Sequence, residues 1–298
     1  MKQLFALGLA TVMTASALAQ PPKTETTVRE TTRVTTTEHK TTTACDADLL
    51  GPPLWSVNDA VPVPAGRVDL RLSGFWVTAN APANGGDSDD DFIMTPHVVW
   101  GVAENWELAI GNAIWLGDSG DMGPQRDGNY DTHVGLLWRF ADQQGYWPAM
   151  ALSSGARIPT GDGSSGVDGE LRLILTNTYD SGIRSHINAY AATLNGNNER
   201  SNRYIDPNAE ASDGHHFQWG FVFGLDGPLC ADGAVRWVAD YVLKGTRHYE
   251  SSNLLDVGFQ WAVAERQALG VSTQIGLDDN EETPNFGAGF TYSVSLCR

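Results

Sequence analysis

The sequence predicts an all-β fold, an antiparallel transmembrane β-barrel of about twelve strands, from three observations. From Gly66 onward, apolar side chains recur at every second position, as they do on one face of a β-strand. Short connections between these segments alternate with longer polar connections, as in barrels whose turns and loops lie on opposite sides of a membrane. Many segments also carry an aromatic residue near one end, which suits interfacial girdles. Helical membrane proteins are excluded, because no run after residue 20 approaches the roughly 18 apolar residues of a spanning helix.

The part of the chain that precedes this alternation divides into three segments. Residues 1–19 predict a secretory signal peptide, because a short apolar stretch ends in Ala17-Leu18-Ala19, an A-x-A cleavage pattern. Residues 20–45 are rich in threonine and charge, so we expect a disordered tail with too little apolar surface to offset its ordering entropy. Residues 46–66 predict a Pro-rich linker that packs loosely at the entrance of the folded domain. The barrel itself is expected to occupy 67–298.

The faces of the predicted strands can be assigned from their chemistry. No water can satisfy a polar group in hydrocarbon, so the apolar face must point outward and the polar face inward. The inward face supplies the candidate lumen and selectivity residues: Asp69, Arg71, His97, Glu107, Asp131, His133, Arg139, Arg157, Glu170, Arg172, Arg184, His186, Asp240 and Asp256. Their mixed signs permit two interpretations, charges that pair to fix the register or a constriction that selects the permeant. The alternative is a soluble lipocalin-like or sandwich fold, which would place the apolar face inside. The many large aromatic residues on that face and the polar loops argue against such a fold.

The three cysteines, Cys45, Cys230 and Cys297, are expected on one side of the membrane. With an even number of strands both termini lie on the short-turn side, which is the periplasmic side. Because the periplasm is oxidising, we predict one disulfide, Cys230–Cys297 or Cys45–Cys230, with one thiol left over.

The charge balance limits the partners. The chain has 36 Asp and Glu against 19 Lys and Arg, for a net charge of −17, which argues against a nucleic-acid partner. Acidic clusters at Asp87–Asp91 and Asp278–Glu282 fall in predicted outer loops but lack the spacing of an EF-hand. We therefore predict no metal and no cofactor. The expected partners are outer-membrane lipid and lipopolysaccharide, small-molecule solutes, and the cell wall, to which the N-terminal tail would tether the protein.

Two stretches carry a family resemblance. Residues 145–163 read GYWPAMALSSGARIPTGDG, a strand that follows a Gly-containing turn and leaves through I-P-T-G-D into an outer loop. A second turn at 264–267 leads to the closing Phe286-Gly287-Ala288-Gly289-Phe290-Thr291-Tyr292. Over residues 66–298 the chain resembles the meta-pathway phenol-degradation family of outer-membrane β-barrel proteins. The resemblance implies a transporter for small or aromatic compounds without defined catalytic residues. One departure is the end of the chain, Leu296-Cys297-Arg298, where such barrels commonly finish on an aromatic.

The sequence therefore predicts an outer-membrane channel that passes small solutes, aromatic or hydrophobic ones among them, through a mixed-charge lumen. The first alternative is a structural or adhesive barrel with a plugged lumen. An outer-membrane lipid-modifying enzyme is a further alternative. Against it, no G-x-S-x-G nucleophile elbow is present, and His133 and His186 point inward, away from a lipid-facing rim. We accordingly predict that the protein is not an enzyme.

Overall fold

The computed structural model describes residues 56–78, 90–118, 128–161, 166–194, 216–230, 233–246, 251–278 and 285–296. These ranges contain twelve β-strands: β1 Val68–Thr78, β2 Asp90–Ala103, β3 Trp106–Asp118, β4 Gly128–Ala141, β5 Ala149–Ile158, β6 Asp168–Thr178, β7 Arg184–Leu194, β8 His216–Pro228, β9 Val235–Thr246, β10 Ser252–Ala264, β11 Gln267–Gly276 and β12 Phe286–Leu296. In the same ranges, no helix is long and apolar enough to cross a membrane.

The strands form one closed antiparallel barrel. Each strand pairs with its neighbours in sequence, and β1 pairs with β12 from Val68 opposite Leu296 to Thr78 opposite Phe286. Among the twelve described strands, closure leaves no edge with unpaired backbone N–H and C=O groups. The predicted fold class and strand number are confirmed.

The alternation of side chains produces an apolar exterior and a largely polar lumen. On β1, Leu70 is 41% exposed on the outside while its neighbour Asp69 is 3% exposed on the inside. On β8, the exposed Phe221 and Phe223 flank the buried Val222 in sequence and point to the opposite face. The outward and inward faces thus follow the predicted parity.

The connections sort by length between the two ends of the barrel, with one exception. The short-turn end carries 104–105, 142–148, 179–183, 229–234 and 265–266, and the opposite end carries 79–89, 119–127, 159–167, 195–215, 247–251 and 277–285. The exception is 247–251, a short connection at the end that otherwise carries the longer ones. The loop is short because β9 continues to Thr246 and β10 begins at Ser252. At 104–105 the tight turn requires a left-handed residue, which is Asn105 with φ of 67°.

Residues 56–66 lie inside the barrel and are called the plug below. Val57 and Ala60 in the plug are 2% and 0% exposed. The plug reaches β1 through Gly66, which has φ of +83° and whose N–H donates to Gly101 O at 2.7 Å. The expectation of loose packing at the entrance is therefore wrong for this half of the predicted linker. The physical reason is that its small apolar side chains and peptide groups find partners on the lumen wall.

Two apolar clusters join the plug to the wall. Val57 packs with the buried Val222, Val242 and Leu254, and Tyr190 covers their edge. A second cluster on β5 and β6 surrounds Ala60; its other members are Ala149, Ala151 and Ile174, with Leu137 packed against it. Burial of a valine side chain contributes about 1.5–3 kcal/mol, so these apolar contacts stabilise the plug in addition to its polar contacts with the wall.

Candidate functional site

The plug is attached to the wall through its peptide groups. Asn188 on β7 brackets Asn58: the Asn58 N–H donates to Asn188 Oδ1 at 2.6 Å, and Asn188 Nδ2 donates to Asn58 O at 3.0 Å. Ser56 is held in the same way, because Arg172 Nη1 donates to its carbonyl at 2.9 Å and its hydroxyl donates to Asp256 Oδ2 at 2.9 Å. These bonds satisfy backbone groups that the lumen would otherwise leave without partners.

Further along the plug, the same arrangement repeats toward the short-turn end. The Ala60 N–H donates to Thr176 Oγ1 at 3.0 Å, and the Val63 N–H donates to Glu107 Oε2 at 2.8 Å. Glu107 was a predicted lumen residue, and its position at the start of β3 makes it an anchor of the plug near the short-turn mouth.

A buried carboxylate, Asp226 on β8, organises the wall behind the plug. Asp226 is 0% exposed and accepts hydrogen bonds from Arg184 Nε at 3.0 Å and from Arg236. His186 Nε2 lies 2.6 Å from Asp226 Oδ2, and Arg184 also reaches Asp59 of the plug, with 2.7 Å between Nη1 and Oδ2. The predicted residue Arg184 therefore joins Asp59 of the plug to Asp226 of the wall through two ion pairs, and the predicted His186 bonds to the same wall carboxylate.

Sequence reasoning missed Asp226 as a lumen residue, and it left Arg236, which alternation places on the polar face of its segment, out of the candidate residues. The signal was present, because Asp226 continues the inward parity of Gln218 and Val222 along β8. Glycine follows at Gly227, a residue typical of turns, so Asp226 does not stand out in the sequence as the last inward position of the strand.

Two predicted aspartates lie side by side on the wall next to the plug. Asp240 on β9 and Asp256 on β10 are direct cross-strand partners, and both are buried. Asp256 accepts from Gln274 Nε2 at 2.8 Å as well as from Ser56. Within the described ranges, neither carboxylate oxygen of Asp240 has a hydrogen-bond partner.

On the opposite side of the lumen the plug leaves a cavity of about 320 Å³. Its wall comes from β2–β6, with Asn58 of the plug facing it: the lining residues are Asn58, Thr95, His97, Gly111, Asn112, Ala113, Asp131, His133, Ser153, Gly155, Arg157, Glu170 and Arg172. This volume lies at the lower end of the range of roughly 300–1,000 Å³ for small-molecule sites. The cavity brings together six of the predicted candidates, His97, Asp131, His133, Arg157, Glu170 and Arg172.

The two histidines of the cavity lie against glycines. A Cβ atom placed on Gly111 would come within 2.0 Å of His97 Cδ2, and one on Gly155 within 2.7 Å of His133 Nε2. His97 and His133 are both register partners of Gly111, on its two sides. Glycine thus lets each imidazole lie directly on the wall, where a larger residue would push it into the cavity.

The charged groups of the cavity wall are paired with other wall groups. Arg172 Nε donates to Glu170 at 3.0 Å, and its guanidinium lies 4.6 Å from the centre of the Tyr190 ring. Arg157 lies 3.9 Å from Asp168. The carboxylate of Asp131 accepts the Gly161 N–H at 3.0 Å.

The remaining predicted residues lie outside the cavity lining. Asp69 accepts from Arg67 Nε at 2.7 Å and lies 3.5 Å from Arg71, so this group fixes the start of β1. Arg139 donates to Asn105 Oδ1 at 2.7 Å, at the short-turn end.

Of the cysteines, Cys230 is exposed in the turn after β8. Cys45 and Cys297 lie outside the described residues, as do the predicted signal peptide and Thr-rich tail, so the disulfide stays a prediction.

Comparison with known proteins identifies the fold. No family model matches the sequence, and no curated protein matches it. Among solved structures, an outer-membrane channel from Pseudomonas putida F1 is similar with a TM-score of 0.63 and 12% identity, over 82% of this chain and 100% of that one. The NanC porin is similar with a TM-score of 0.51 and 9% identity, over 78% of this chain and 100% of the porin. The chain therefore shares its barrel fold with outer-membrane channels and porins, while the meta-pathway family stays a prediction.

Proposed function

We propose that this protein is an outer-membrane channel, and that small solutes cross it through the cavity between the plug and strands β2–β6. The observation that carries the proposal is a polar cavity of about 320 Å³ inside a closed barrel whose exterior is apolar. A barrel that served only as a scaffold would have no need to keep this part of its lumen open.

The exterior supports a membrane location. Near the short-turn end, the rings of Trp106 and Trp138 stack at 5.4 Å, and at the other end Trp76 meets the edge of Phe286 at 6.0 Å. Aromatic residues at both ends of an apolar belt suit the two interfaces of a bilayer. In this orientation the short turns and both termini are periplasmic, and the exterior contacts lipid and lipopolysaccharide.

Two features support permeants with an apolar part. The family resemblance at 145–163 implies transport of small or aromatic compounds. On the lumen wall, Ile93 and Ala113 form a small buried apolar cluster, and Ala113 also lines the cavity. We therefore include small aromatic compounds among the candidate permeants.

A second candidate function is a structural barrel with a closed lumen. The observation that favours it is the set of polar contacts that fix the plug, with Asn188 bonded to both peptide groups of Asn58. If the plug and the loops together close every path through the lumen, the barrel would expose its loops for structural or adhesive contacts and would conduct no solute.

Reconstitution of the purified full chain separates the two functions. Planar bilayers should show discrete conductance steps, and proteoliposomes should swell in isotonic solutions of small solutes. A heat-modifiable band on a gel shows beforehand that the barrel is folded. Folded protein that produces neither steps nor swelling in any solute would rule out the channel and leave the structural barrel.

A further inference from the structure

The polar side chains that line the cavity fall into two groups with different bonding. The four charged residues, Asp131, Arg157, Glu170 and Arg172, all have partners in the wall, as described above. The uncharged polar side chains do not. Within the described ranges, no side-chain hydrogen bond is formed by Asn58, Thr95, His97, Asn112, His133 or Ser153.

Thr95 shows the difference most sharply. Its side chain is 5% exposed on β2, and its hydroxyl oxygen is buried without a partner among the described residues. A buried hydroxyl without a hydrogen bond is destabilising, and such groups are uncommon in native proteins. The cost is recovered when a bound molecule supplies the missing bond.

The chemistry of the unpartnered groups indicates what that molecule carries. A hydroxyl, a carboxamide and a neutral imidazole can each donate one hydrogen bond and accept another. The group with the same dual capacity in a small solute is the hydroxyl. A charged solute would instead have to compete with the wall for the paired groups of the Arg172–Glu170 and Arg157–Asp168 bridges.

We propose that the cavity is a binding site for small uncharged solutes that carry several hydroxyl groups, such as polyols. This inference rests on the proposed function and deepens it by naming the solute class that the channel binds in this cavity. Thr95, His97, His133 and Ser153 are the wall groups that bind the hydroxyls, and Asn58 binds them from the plug. The Arg–carboxylate pairs keep the site electrically balanced, so it favours the uncharged solute over a charged analogue.

Binding is tested on the full chain in a detergent without a sugar headgroup, by saturation-transfer NMR titration. Xylitol is the probe, and triethylene glycol, of nearly the same mass but with two hydroxyls, is the control solute. Sorbitol and gluconate form a second pair that differ only in one carboxylate end. We expect xylitol to bind more tightly than triethylene glycol, and sorbitol more tightly than gluconate.

The matched variants are Thr95→Val with Ser153→Ala, against Thr291→Val with Ser73→Ala. The first pair removes two cavity hydroxyls that have no wall partner to lose. The second pair makes the same changes in the lumen outside the cavity lining, where the two hydroxyl oxygens lie 3.3 Å apart and bond to each other. The cavity variant should bind xylitol about tenfold more weakly, since it loses two hydrogen bonds to the solute, and the control variant should bind it unchanged.

The proposal is overturned if xylitol does not bind, if triethylene glycol or gluconate binds as well as its partner solute, or if the two double variants weaken binding equally. Swelling of proteoliposomes reports on the channel separately. Xylitol binding without swelling in any solute would refute the channel and leave the site. Swelling that is the same for every solute of this size, without saturable binding, would refute the site and leave the channel.

Discussion

The attachment of the plug can be tested at Asn188, the wall residue that bonds both peptide groups of Asn58. Replacement of Asn188 by leucine keeps nearly the same side-chain volume and removes both bonds, of 2.6 and 3.0 Å. The Asn58 N–H and C=O, which are part-buried, then have no protein partner as long as the plug is in place, and they gain full access to water when it leaves. The substitution therefore destabilises the plugged state more than the open one.

The size of the effect follows from the two lost bonds. A buried polar group left without a partner costs about 1–3 kcal/mol, and because these two groups are part-buried we take the lower figure for each, about 2 kcal/mol in total. At 1.4 kcal/mol per factor of ten, this corresponds to a shift of about 30-fold in the ratio of unplugged to plugged barrels. We expect the open probability or the conductance in planar bilayers to rise, and the Asn58 amide to exchange its hydrogen faster by a similar factor.

Gln218→Leu is the matched control for this prediction. Gln218 is also a buried lumen amide, but its Nε2 lacks a hydrogen-bond partner in the described part of the chain, so its replacement leaves the plug contacts intact. If Asn188→Leu and Gln218→Leu give the same conductance and the same exchange rates, the bonds from Asn188 do not hold the plug and the reasoning fails.

Three further predictions concern the barrel wall and the cysteines. Asp226→Ala should lower the free energy of unfolding by about 3–5 kcal/mol in urea titrations, because it leaves the buried guanidinium groups of Arg184 and Arg236 without their carboxylate. The control Asp142→Asn, at an exposed position, should change this free energy by less than about 1 kcal/mol. Equal effects of the two variants would contradict a stabilising role of the Asp226 ion pairs. Gly111→Ala should slow solute swelling, because its Cβ would displace the His97 ring into the cavity, and unchanged swelling would show that the solute path lies elsewhere. Non-reducing mass mapping should find Cys230 disulfide-bonded to one of the other two cysteines, and three free thiols would refute the disulfide.

The barrel could be predicted from the sequence because its rule is local. Each strand repeats outward apolar and inward polar positions with a period of two, so Leu70 and Asp69 reveal their faces without knowledge of any partner. The length of a connection is also a local property of the sequence. For this reason, almost every connection could be assigned to the short-turn end or to the opposite end from the sequence alone. The inward placement of His97, His133 and Arg157 follows from the same rule.

The plug could not be predicted because its partners are distant in sequence. Asn58 and Asn188 are separated by 130 residues, and nothing near Asn58 marks its peptide groups as buried. The inward apolar residues were missed for a related reason. Ile174 and Val222 occupy positions that the alternation assigns to polar side chains, and their apolar character makes sense only once the plug covers them.

The distribution of side-chain size around the lumen explains where the first part of the plug lies, before Val63 reaches β3 and Gly66 reaches β2. Where the plug packs, the inward positions of β6–β10 carry large apolar residues such as Ile174, Val222 and Leu254, which offer it surface to bury. Across the lumen, the inward positions of neighbouring strands carry glycine at Gly111, on β3, and at the cross-strand partners Gly135 and Gly155. Glycine offers the plug no side chain to pack against and leaves room for the two imidazoles and a solute. The same pattern of inward residues therefore favours the packing of Val57 against β8–β10 and keeps the cavity open along β2–β6.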